Sequence, residues 1–248
     1  MFASERHCTV TSLVWLTPTV FEIQFFTGRP ASFEGGQFLS VKIPAGNDGR
    51  GCWRPYSFAS APEEAIHGQY RLCIKYLAGG VGSEFMSHLR PGDTFAAMLP
   101  YGNLVYEPAP EDRRACFLCT STGIAPFLSM VLSEAFQSAR PAKSQLLYGT
   151  RSAEEILYRE DFARAGVEMI SAISQGQATG PGQYEGRITD YLRSLPPSWH
   201  WRDTDFYLCG NTAMVKEAIE ILVSGHGVPR EAIRAESFGS AIAKPKAA

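Results

Sequence analysis

The feature that most constrains the fold of this 248-residue chain is a change of sequence pattern near residue 110. Before it, short β-forming runs alternate with turn sequences such as TGRP, EGG, GNDGRG and RPGD, which is typical of an antiparallel barrel or sandwich. We expect one helix among them, over Gly82–Leu89, ended by RPGD. The expected strands are Thr9–Leu16, Val20–Phe26, Phe38–Ile43, Arg54–Phe58, Tyr70–Tyr76 and Thr94–Met98.

After the linker-like segment Glu107–Arg114, apolar strands are each followed by an amphipathic helix. The strands are ACFLC, SQLLYG, VEMISAIS and DFYLCG, and the helices follow in IAPFLSMVLSEAF, SAEEILYREDFARAG, EGRITDYLRSL and NTAMVKEAIEILVSG. Strands that alternate with helices in this way form a parallel sheet with right-handed crossovers. The sequence therefore predicts a two-domain fold, with a six-stranded antiparallel β-barrel in residues 1–108 and an α/β nucleotide-binding domain in residues 109–248.

Composition and charge exclude some classes of partner. The 23 basic and 25 acidic side chains give a formal charge of −2, and no Lys/Arg cluster is present, which argues against nucleic acid. The six scattered cysteines and an N-terminus without a secretory pattern predict reduced thiols and a cytoplasmic protein. The uncharged run Ala115–Ser133 is interrupted by glycine and proline, so we expect a strand and a helix start there and no membrane span.

In an open α/β sheet a ligand binds beyond the carboxyl ends of the strands, so the turns after ACFLC and DFYLC are candidate sites. The small turn Thr120–Gly123 allows backbone to approach a ligand, and the helix that follows directs free N–H groups at it. A pyrophosphate or a nicotinamide edge would suit this turn. On spacing alone, a tight turn closed by Gly123 is an equal alternative, since neither G-x-G-x-x-G nor a Walker A motif is present.

Two further segments in the first domain carry ligand-binding chemistry. Arg54, Tyr56 and Ser57 supply a planar cation for phosphate, an aromatic face and a hydroxyl within four residues. The glycine-rich run GGVGS at 79–83 opens the expected helix and is a second anion-type turn. Taken singly, the first is equally an ordinary barrel strand and the second a flexible loop.

The cysteines do not form a metal site in this reading. Cys116 and Cys119 lie in a C-x-x-C pattern, but strand alternation places them on opposite faces, so we expect neither metal nor disulfide there. Cys209 lies at the end of a predicted strand, where a functional thiol and a thiol packed beneath a turn remain alternatives.

The motifs gain specificity from their order along the chain. RPYS, GGVGS at a helix start, TSTGIAP, YGTRS, LCGN and a late E-x-F follow one another, and in this order they resemble the ferredoxin–NADP reductase superfamily of flavoproteins over nearly the whole chain. The resemblance implies that residues 1–108 bind FAD and that residues 109–248 bind NAD(P).

The resemblance also implies roles for single residues in the first domain. Arg54 would bind the flavin phosphate, Tyr56 would stack on the isoalloxazine, and Ser57 would hydrogen-bond near N5, the atom that accepts hydride. The GGVGS turn would hold the pyrophosphate, which favours FAD over FMN because FMN has none. The implied flavin-binding residues are Arg54, Pro55, Tyr56, Ser57, Ile74, Lys75, Gly80, Val81, Gly82 and Ser83.

On the nicotinamide side, the implied coenzyme-binding residues are Thr122, Gly123, Arg151, Ser152, Ser174 and Gly210. Cys209 would lie near the reacting carbon, and Glu236 and Phe238 would match the family's terminal acid and flavin-covering ring, although ten residues follow Phe238. The implied catalytic residues are Tyr56, Ser57, Cys209, Glu236 and Phe238.

Two departures from the family pattern concern the coenzyme. Many members carry glycine at the position of Ser121, so this turn is expected slightly further from the dinucleotide. Members that select NADPH often carry Ser-Arg where this chain has Ser174-Gln175, although Arg151 and Arg187 still offer charge. The sequence leaves NADH and NADPH open, with a slight preference for NADH.

Hydride transfer requires two flat rings held at near-attack distance in a site that excludes water, and glycines, hydroxyls and aromatics suit that task. The resemblance implies an FAD-dependent NAD(P)H oxidoreductase that passes single electrons to a carrier. No cysteine spacing for an iron–sulfur centre occurs, so the acceptor is expected to be ferredoxin, flavodoxin or an oxygenase component. The alternatives are an oxygenase or free-flavin reductase and, from another class, a non-catalytic electron-transfer or regulatory subunit.

Overall fold

The computed structural model describes residues 3–44, 51–108, 110 and 112–238. Within these residues the chain forms a six-stranded antiparallel sheet followed by a six-stranded parallel sheet with helices, which confirms the predicted fold class. Most of the GNDGRG turn, two residues of the linker and the tail after Phe238 lie outside the described residues. The domain boundary at 108/109 stays a prediction.

The first sheet is a closed barrel. Its strands are β1 (Ser4–Thr17), β2 (Val20–Thr27), β3 (Phe38–Ile43), β4 (Cys52–Ser57), β5 (Gln69–Lys75) and β6 (Thr94–Tyr101), in the order β4-β3-β6-β1-β2-β5. A bridge between Phe58 and Leu72 joins the two outer strands of this order and closes the barrel. Alternate side chains point inwards, so that Phe21, Ile23 and Phe25 of β2 are buried in its core.

All six barrel strands occur where the sequence predicts them, but the expectation of a single helix is wrong. Helix α1 covers Val81–Ser87, and Pro62–His67 forms an additional short 3₁₀ helix. Pro62 presets the backbone for its first turn, and the Glu64 carboxylate accepts the N–H of Ala61 at 3.0 Å. Gly68, with φ of 70°, ends it.

The second sheet is parallel throughout. Its strands are β7 (Arg114–Thr120), β8 (Lys143–Thr150), β9 (Glu168–Ile173), β10 (Gln183–Glu185), β11 (Thr204–Asn211) and β12 (Ile233–Phe238), in the order β10-β9-β8-β7-β11-β12. The chain moves outward from β7 to β10 and then returns to place β11 on the other side of β7. The switch point of the sheet is therefore between β7 and β11, which is where such sheets bind ligands.

Two of these strands were not predicted from the sequence. The three-residue β10 is too short for a detectable alternation, and β12 reads as IRAESF, with charged side chains between small and apolar ones. Both are edge strands, so only one neighbour stabilises each of them. Together they extend the four expected parallel strands to six.

The helices of this half are shorter than predicted. They are α2 (Ile124–Leu132), α3 (Glu134–Ser138), α4 (Arg159–Arg164), α5 (Ile188–Ser194) and α6 (Thr212–Glu220), with a π-helical turn at Ile221–Gly225. The expected helix IAPFLSMVLSEAF breaks at Ser133, whose hydroxyl caps α3 by accepting the Phe136 N–H at 3.2 Å. The expected helix SAEEILYREDFARAG consists of a 3₁₀ turn at Ala153–Glu155 and then α4, which begins after Tyr158 in a left-handed conformation.

The uncharged run Ala115–Ser133 divides into β7 and α2, as expected. Cys116 and Cys119 of β7 lie in separate cores on the two faces of the sheet, which confirms the predicted alternation. Among the described helices, none combines the length and apolar character needed to cross a membrane.

One apolar core joins the two sheets. It contains Val20 and Ala59 from the barrel, Leu104 and Tyr106 from the segment after β6, and second-domain side chains such as Phe127. Two hydrogen bonds fix the linker that follows: Arg113 donates both of them to the Asp205 carboxylate, at 2.9 and 2.8 Å. This packing fixes the cleft between the two sheets, where the candidate residues lie.

Candidate active site

A cavity of about 720 Å³ lies between barrel strands β3 to β5 and the carboxyl ends of β7, β11 and β12. Eight of the residues singled out from the sequence meet in its wall, although they come from distant parts of the chain. Its lining residues are Phe38, Pro55, Tyr56, Ser57, Cys73, Ile74, Lys75, Leu77, Thr120, Ser121, Thr122, Asn211, Glu236, Ser237 and Phe238.

The barrel side of the cavity is formed by RPYS on β4. Pairing with β3 fixes its register, with Tyr56 opposite Leu39 and Ser57 opposite Phe38. Tyr56 is half-buried and Ser57 buried, and burial raises the pKa of Tyr56 to about 12. At neutral pH the wall therefore presents an uncharged aromatic ring beside a hydroxyl.

Gly82 of α1 packs directly against this strand. A Cβ on Gly82 would lie 2.6 Å from Tyr56 Oη and 2.8 Å from Arg54 Cγ, so any larger residue would collide with both. The structure thus brings together two motifs, RPYS and GGVGS, that the sequence separates by more than twenty residues. Arg54 and residues 80–83 lie beside the cavity and are not part of its lining.

The hydroxyl of Ser83 is used inside its own loop. It accepts the Leu77 N–H at 3.0 Å and lies 3.2 Å from Leu77 O and 3.1 Å from Gly80 O. The Gly79 N–H donates to Glu84 Oε1 at 2.7 Å, which tightens the same loop. A phosphate at this turn would therefore meet backbone N–H groups rather than the Ser83 side chain.

On the opposite wall, the TSTG turn has a glycine-like backbone at a serine. Ser121 has φ of 52°, in the left-handed region that glycine adopts most easily. Ser121–Gly123 forms a 3₁₀ turn that leads into α2. The departure from the family pattern at Ser121 therefore keeps the backbone conformation that a glycine would have.

The turns after β7 and β11 are in close contact at the switch point. A Cβ on Gly123 would lie 2.4 Å from Cys209 O, and one on Gly210, where φ is 147°, would lie 2.4 Å from Thr120 Oγ1. Thr120 Oγ1 accepts the Asn211 N–H at 3.2 Å. Gly123 and Gly210 are required for this approach, and they lie beneath the cavity rather than in its wall.

Cys209 is fully buried next to Glu236. Parallel pairing places it opposite Glu236 of β12, and its side chain lies in the core that joins the two sheets. Burial, assisted by the nearby carboxylate, raises the pKa of the Cys209 thiol well above its ordinary value. The thiol is outside the cavity lining, and its predicted catalytic role stays a prediction.

Glu236 is the acidic group of the cavity. It lies across from the barrel, since a Cβ on Gly102 would be 3.6 Å from Glu236 Oε2. Burial raises the pKa of this carboxyl from 4.5 to about 6. Glu236 can therefore hold or release a proton near neutral pH inside the cavity.

Phe238 lies at the end of β12 with 38% of its surface exposed. Its backbone carbonyl accepts a hydrogen bond from Thr212 Oγ1 at 2.9 Å, which fixes the end of the strand at the cavity mouth. Residues 239–248 lie outside the described residues.

A second cavity of about 520 Å³ continues from the first along the carboxyl ends of β7, β8, β9 and β11. The predicted residues Arg151 and Ser174 line it, together with Arg187, and Ser152 flanks it. Thr150, Thr189 and Glu155 also line it and were missed by sequence reasoning. Only the fact that Thr150 directly follows a predicted strand could have pointed to one of them.

These cavities fit a flavin dinucleotide and a nicotinamide dinucleotide. The first presents a neutral aromatic ring, and the glycine turn at the start of α1 lies beside it, packed against Tyr56. The second contains two buried hydroxyls, Thr150 Oγ1 and Thr189 Oγ1, that have no hydrogen-bond partner among the described residues. Buried hydroxyls without a partner are uncommon in folded proteins, and both belong to residues that line this cavity.

Comparisons with known proteins agree with this division. Residues 7–106 match the oxidoreductase FAD-binding domain family, and residues 117–220 match the oxidoreductase NAD-binding domain family. Ferredoxin–NADP reductase B of Sorangium cellulosum is 28% identical over 233 residues, which cover 90% of this chain and 93% of that protein. The ferredoxin–NADP reductase of Azotobacter vinelandii is 30% identical, with 82% and 83% of the two chains covered.

The reductase component of propane 2-monooxygenase from Mycolicibacterium goodii is 27% identical over 85% of this chain, and this chain spans 60% of its length. Among solved structures, a ferredoxin NADP⁺ reductase from Neisseria gonorrhoeae with bound FAD and NADP has the same fold. Its TM-score is 0.78 at 22% identity, with 95% of this chain and 99% of that chain covered.

Proposed function

This chain belongs to the ferredoxin–NADP reductase superfamily and is an FAD-dependent NAD(P)H oxidoreductase, and we propose that it passes electrons from NAD(P)H singly to a ferredoxin or flavodoxin. The observation that carries this proposal is the meeting of Tyr56 and Ser57 with Thr122, Glu236 and Phe238 across one cavity. That arrangement provides a place for two stacked rings, as hydride transfer requires.

FAD, when bound, supplies the ability to accept two electrons as hydride and to release them one at a time. In our proposal, Arg54 and the backbone at residues 80–83 would bind its phosphates, and Gly82 keeps that turn against Tyr56. The neutral Tyr56 ring would pack against the flavin, and the Ser57 hydroxyl would orient its reactive edge.

The second domain orients the coenzyme and limits access of water. Thr122 and the TSTG turn would position the nicotinamide, with Gly123 and Gly210 allowing the close approach of the two turns. Phe238, which lines the same cavity, would cover a flavin bound there. The Glu236 carboxyl, with its pKa raised to about 6 by burial, can take up or release a proton at the cavity wall.

The absorbance spectrum of the purified protein tests this proposal. We expect bands of oxidised flavin that bleach on anaerobic addition of NADH or NADPH and return on addition of a one-electron carrier protein. A colourless preparation that cannot be reconstituted with FAD or FMN would contradict it.

A second candidate is the reductase component of an oxygenase, favoured by the similarity to the propane 2-monooxygenase reductase component. The first candidate is favoured by the similarity to two ferredoxin–NADP reductases, which are 28% and 30% identical to this chain. Stopped-flow reoxidation by ferredoxin, flavodoxin, free flavin and an oxygenase component separates the two by the acceptor that reacts fastest. The matches to the FAD-binding and NAD-binding oxidoreductase domain families favour an enzyme over a non-catalytic electron-transfer or regulatory subunit.

We also place the protein in the cytoplasm. All six cysteines are free, which suits a reducing compartment. We propose that residues 1–108 bind FAD and that residues 109–248 bind NAD(P)H.

A further inference from the structure

Tyr158 ends a segment of the second domain whose beginning lines the second cavity. Residues 151–158 join β8 to α4, and Arg151 and Glu155 of this segment line that cavity. Leu157 is buried in the core that joins the two sheets, and the Tyr158 ring packs against the same core. Only two residues separate Glu155 from Tyr158, so the position of Tyr158 constrains this part of the cavity wall.

The Tyr158 hydroxyl contacts two neighbouring strands of the barrel. It donates a hydrogen bond of 2.9 Å to Glu22 Oε2 on β2. Glu22 is directly opposite Cys73 in the antiparallel pairing of β2 with β5, so the two side chains lie on the same face of the sheet. Burial raises the pKa of the Cys73 thiol to about 12, and a hydrogen bond with the Tyr158 side chain opposes this rise in part. One hydroxyl therefore interacts with both strands.

Cys73 connects this contact to the first cavity. The consecutive residues Cys73, Ile74 and Lys75 of β5 all line that cavity on its barrel side. Cys73 is 5% exposed, so its side chain is enclosed between the cavity and the second domain. A displacement of Tyr158 would therefore change the packing of this wall.

The Glu22 carboxylate is held in place from both of its oxygens. Oε2 lies 3.5 Å from Arg71 Nη1, and Oε1 accepts a hydrogen bond from Gln24 Nε2 at 3.2 Å. Tyr158 meets this anchored acceptor from a left-handed backbone, with φ of 53°. The contact thus has a defined geometry on both sides of the cleft.

Another hydrogen bond between the domains lies away from both cavities. The Glu134 N–H at the start of α3 donates to Glu63 Oε1 of the barrel's 3₁₀ helix at 3.0 Å. Neither residue belongs to the lining of the two cavities. This bond joins the same two domains as Tyr158 does, but without contact to either cavity wall.

We propose that Tyr158 is a positioning residue for hydride transfer, whose hydroxyl, held by Glu22 and Cys73, fixes the distance between the flavin and the coenzyme. The inference rests on the proposed function for the placement of the flavin against residues 73–75 and of the coenzyme along residues 151–155. Hydride transfer is sensitive to this distance, because a displacement of about 1 Å can lower a rate by about 100-fold.

Stopped-flow reduction of the FAD-loaded enzyme by NADH and by NADPH tests the inference. Tyr158→Phe keeps the ring and removes the hydroxyl. We expect the limiting rate of flavin reduction to fall by about tenfold, while the coenzyme concentration at half-maximal rate changes by less than about twofold. Glu63→Ala is the matched control and is expected to keep the wild-type rate. All variants are compared at a temperature at which far-ultraviolet circular dichroism shows that they are folded.

Two variants of Glu22 separate the effect of position from that of charge. Glu22→Gln and Glu22→Ala both remove the ion pair with Arg71, but the glutamine amide still offers an oxygen to the Tyr158 hydroxyl. We expect Glu22→Gln to keep most of the wild-type rate and Glu22→Ala to lose as much as Tyr158→Phe does. Equal losses in the two Glu22 variants would assign the effect to charge and overturn the inference.

Visible circular dichroism of the bound FAD gives a readout that needs no turnover. Because Cys73 lines the cavity, we expect Tyr158→Phe to alter the flavin bands and Glu63→Ala to leave them as in the wild type. If neither coenzyme reduces the wild-type flavin, the proposed function is contradicted, and the flavin spectrum decides the inference by itself. An unchanged rate and spectrum in Tyr158→Phe, or equal changes in Glu63→Ala, would overturn the inference and leave the proposed function intact.

Discussion

Tyr158 of the second domain donates a hydrogen bond of 2.9 Å to Oε2 of Glu22 on barrel strand β2. The same carboxylate oxygen lies 3.5 Å from Arg71 Nη1, and Arg71 Nη2 donates to Ala59 O at 3.0 Å. Tyr158 reaches this position from a left-handed backbone, with φ of 53°, which costs a non-glycine residue about 1 kcal/mol or more. The contact therefore joins the barrel to the second domain through a tyrosine whose backbone is left-handed.

Removing the Tyr158 hydroxyl tests how much the hydrogen bond between the two domains contributes to stability. Tyr158→Phe leaves the charged Glu22 without one of its donors, so we expect a loss of about 1–3 kcal/mol in the free energy of unfolding, measured by urea denaturation. Tyr184→Phe is the control, since the Tyr184 hydroxyl has no hydrogen bond among the described residues. A loss equal to that of the control would show that the hydrogen bond contributes nothing.

The contact of Gly82 with RPYS predicts an effect on the flavin. Gly82→Ala introduces a Cβ that would lie 2.6 Å from Tyr56 Oη, so either the turn or the tyrosine must move. We expect at least about a tenfold weaker binding of FAD, measured by the flavin retained after dialysis and by fluorescence titration.

The control for that variant is Gly28→Ala, because a Cβ on Gly28 meets no atom within 4 Å. Equal FAD affinity in the two variants would contradict the proposed role of the turn.

The raised pKa of Glu236 leads us to expect that the stability of the protein depends on pH. Burial raises its pKa from 4.5 to about 6, so the folded state holds this proton more tightly than the unfolded state does. The stabilising contribution is complete below pH 4.5 and is lost as the pH rises through 6, amounting to about 2 kcal/mol at most.

Glu236→Gln removes this dependence. Urea denaturation at pH 4.5 and pH 7.5 is expected to show that the wild type loses up to about 2 kcal/mol relative to the variant over this interval. Glu231→Gln, at an exposed carboxylate just before β12, is the matched control. Parallel pH profiles for the wild type and Glu236→Gln would contradict the assignment.

Phe238 predicts an effect on coenzyme entry. If its ring must leave the flavin face before the nicotinamide enters, Phe238→Ala removes that step, and we expect coenzyme affinity to rise by about threefold or more. Stopped-flow titration of flavin reduction against coenzyme concentration separates affinity from the rate of hydride transfer. Phe26→Ala, at an exposed phenylalanine on β2, is the control, and a variant with unchanged affinity and rate would exclude this role.

The sequence predicted those parts of the fold that depend on local patterns. Alternation and turn residues located all six barrel strands, and the order of short motifs brought Tyr56, Thr122 and Glu236 to one site. The left-handed Tyr158 was not predictable, because its side chain contacts Glu22 of the barrel. The break at Ser133 is a local cap that the continuous helical pattern of the sequence obscures. The same holds for Gly82, whose necessity follows only from its distance to Tyr56.

The residues around the second cavity show a second limit of prediction from the sequence. Arg151 was visible as a cation in the sequence, but its ion pair with Glu155 was not. Likewise, nothing in the local pattern marks Thr150 and Thr189 as neighbours. Charge neutralisation and unsatisfied hydroxyls are properties of the folded arrangement, so coenzyme choice could be left only as an open question from sequence.

The core shared by the two sheets has a consequence for protein engineering. Leu104 and Tyr106 leave the barrel only to be buried against second-domain side chains such as Phe127 and Phe136. A chimera that joins this barrel to the nucleotide half of another reductase at residue 108 would set these two side chains against a foreign surface. Recombinants should therefore exchange the segment after β6 together with the second half, or redesign both sides of the junction at once.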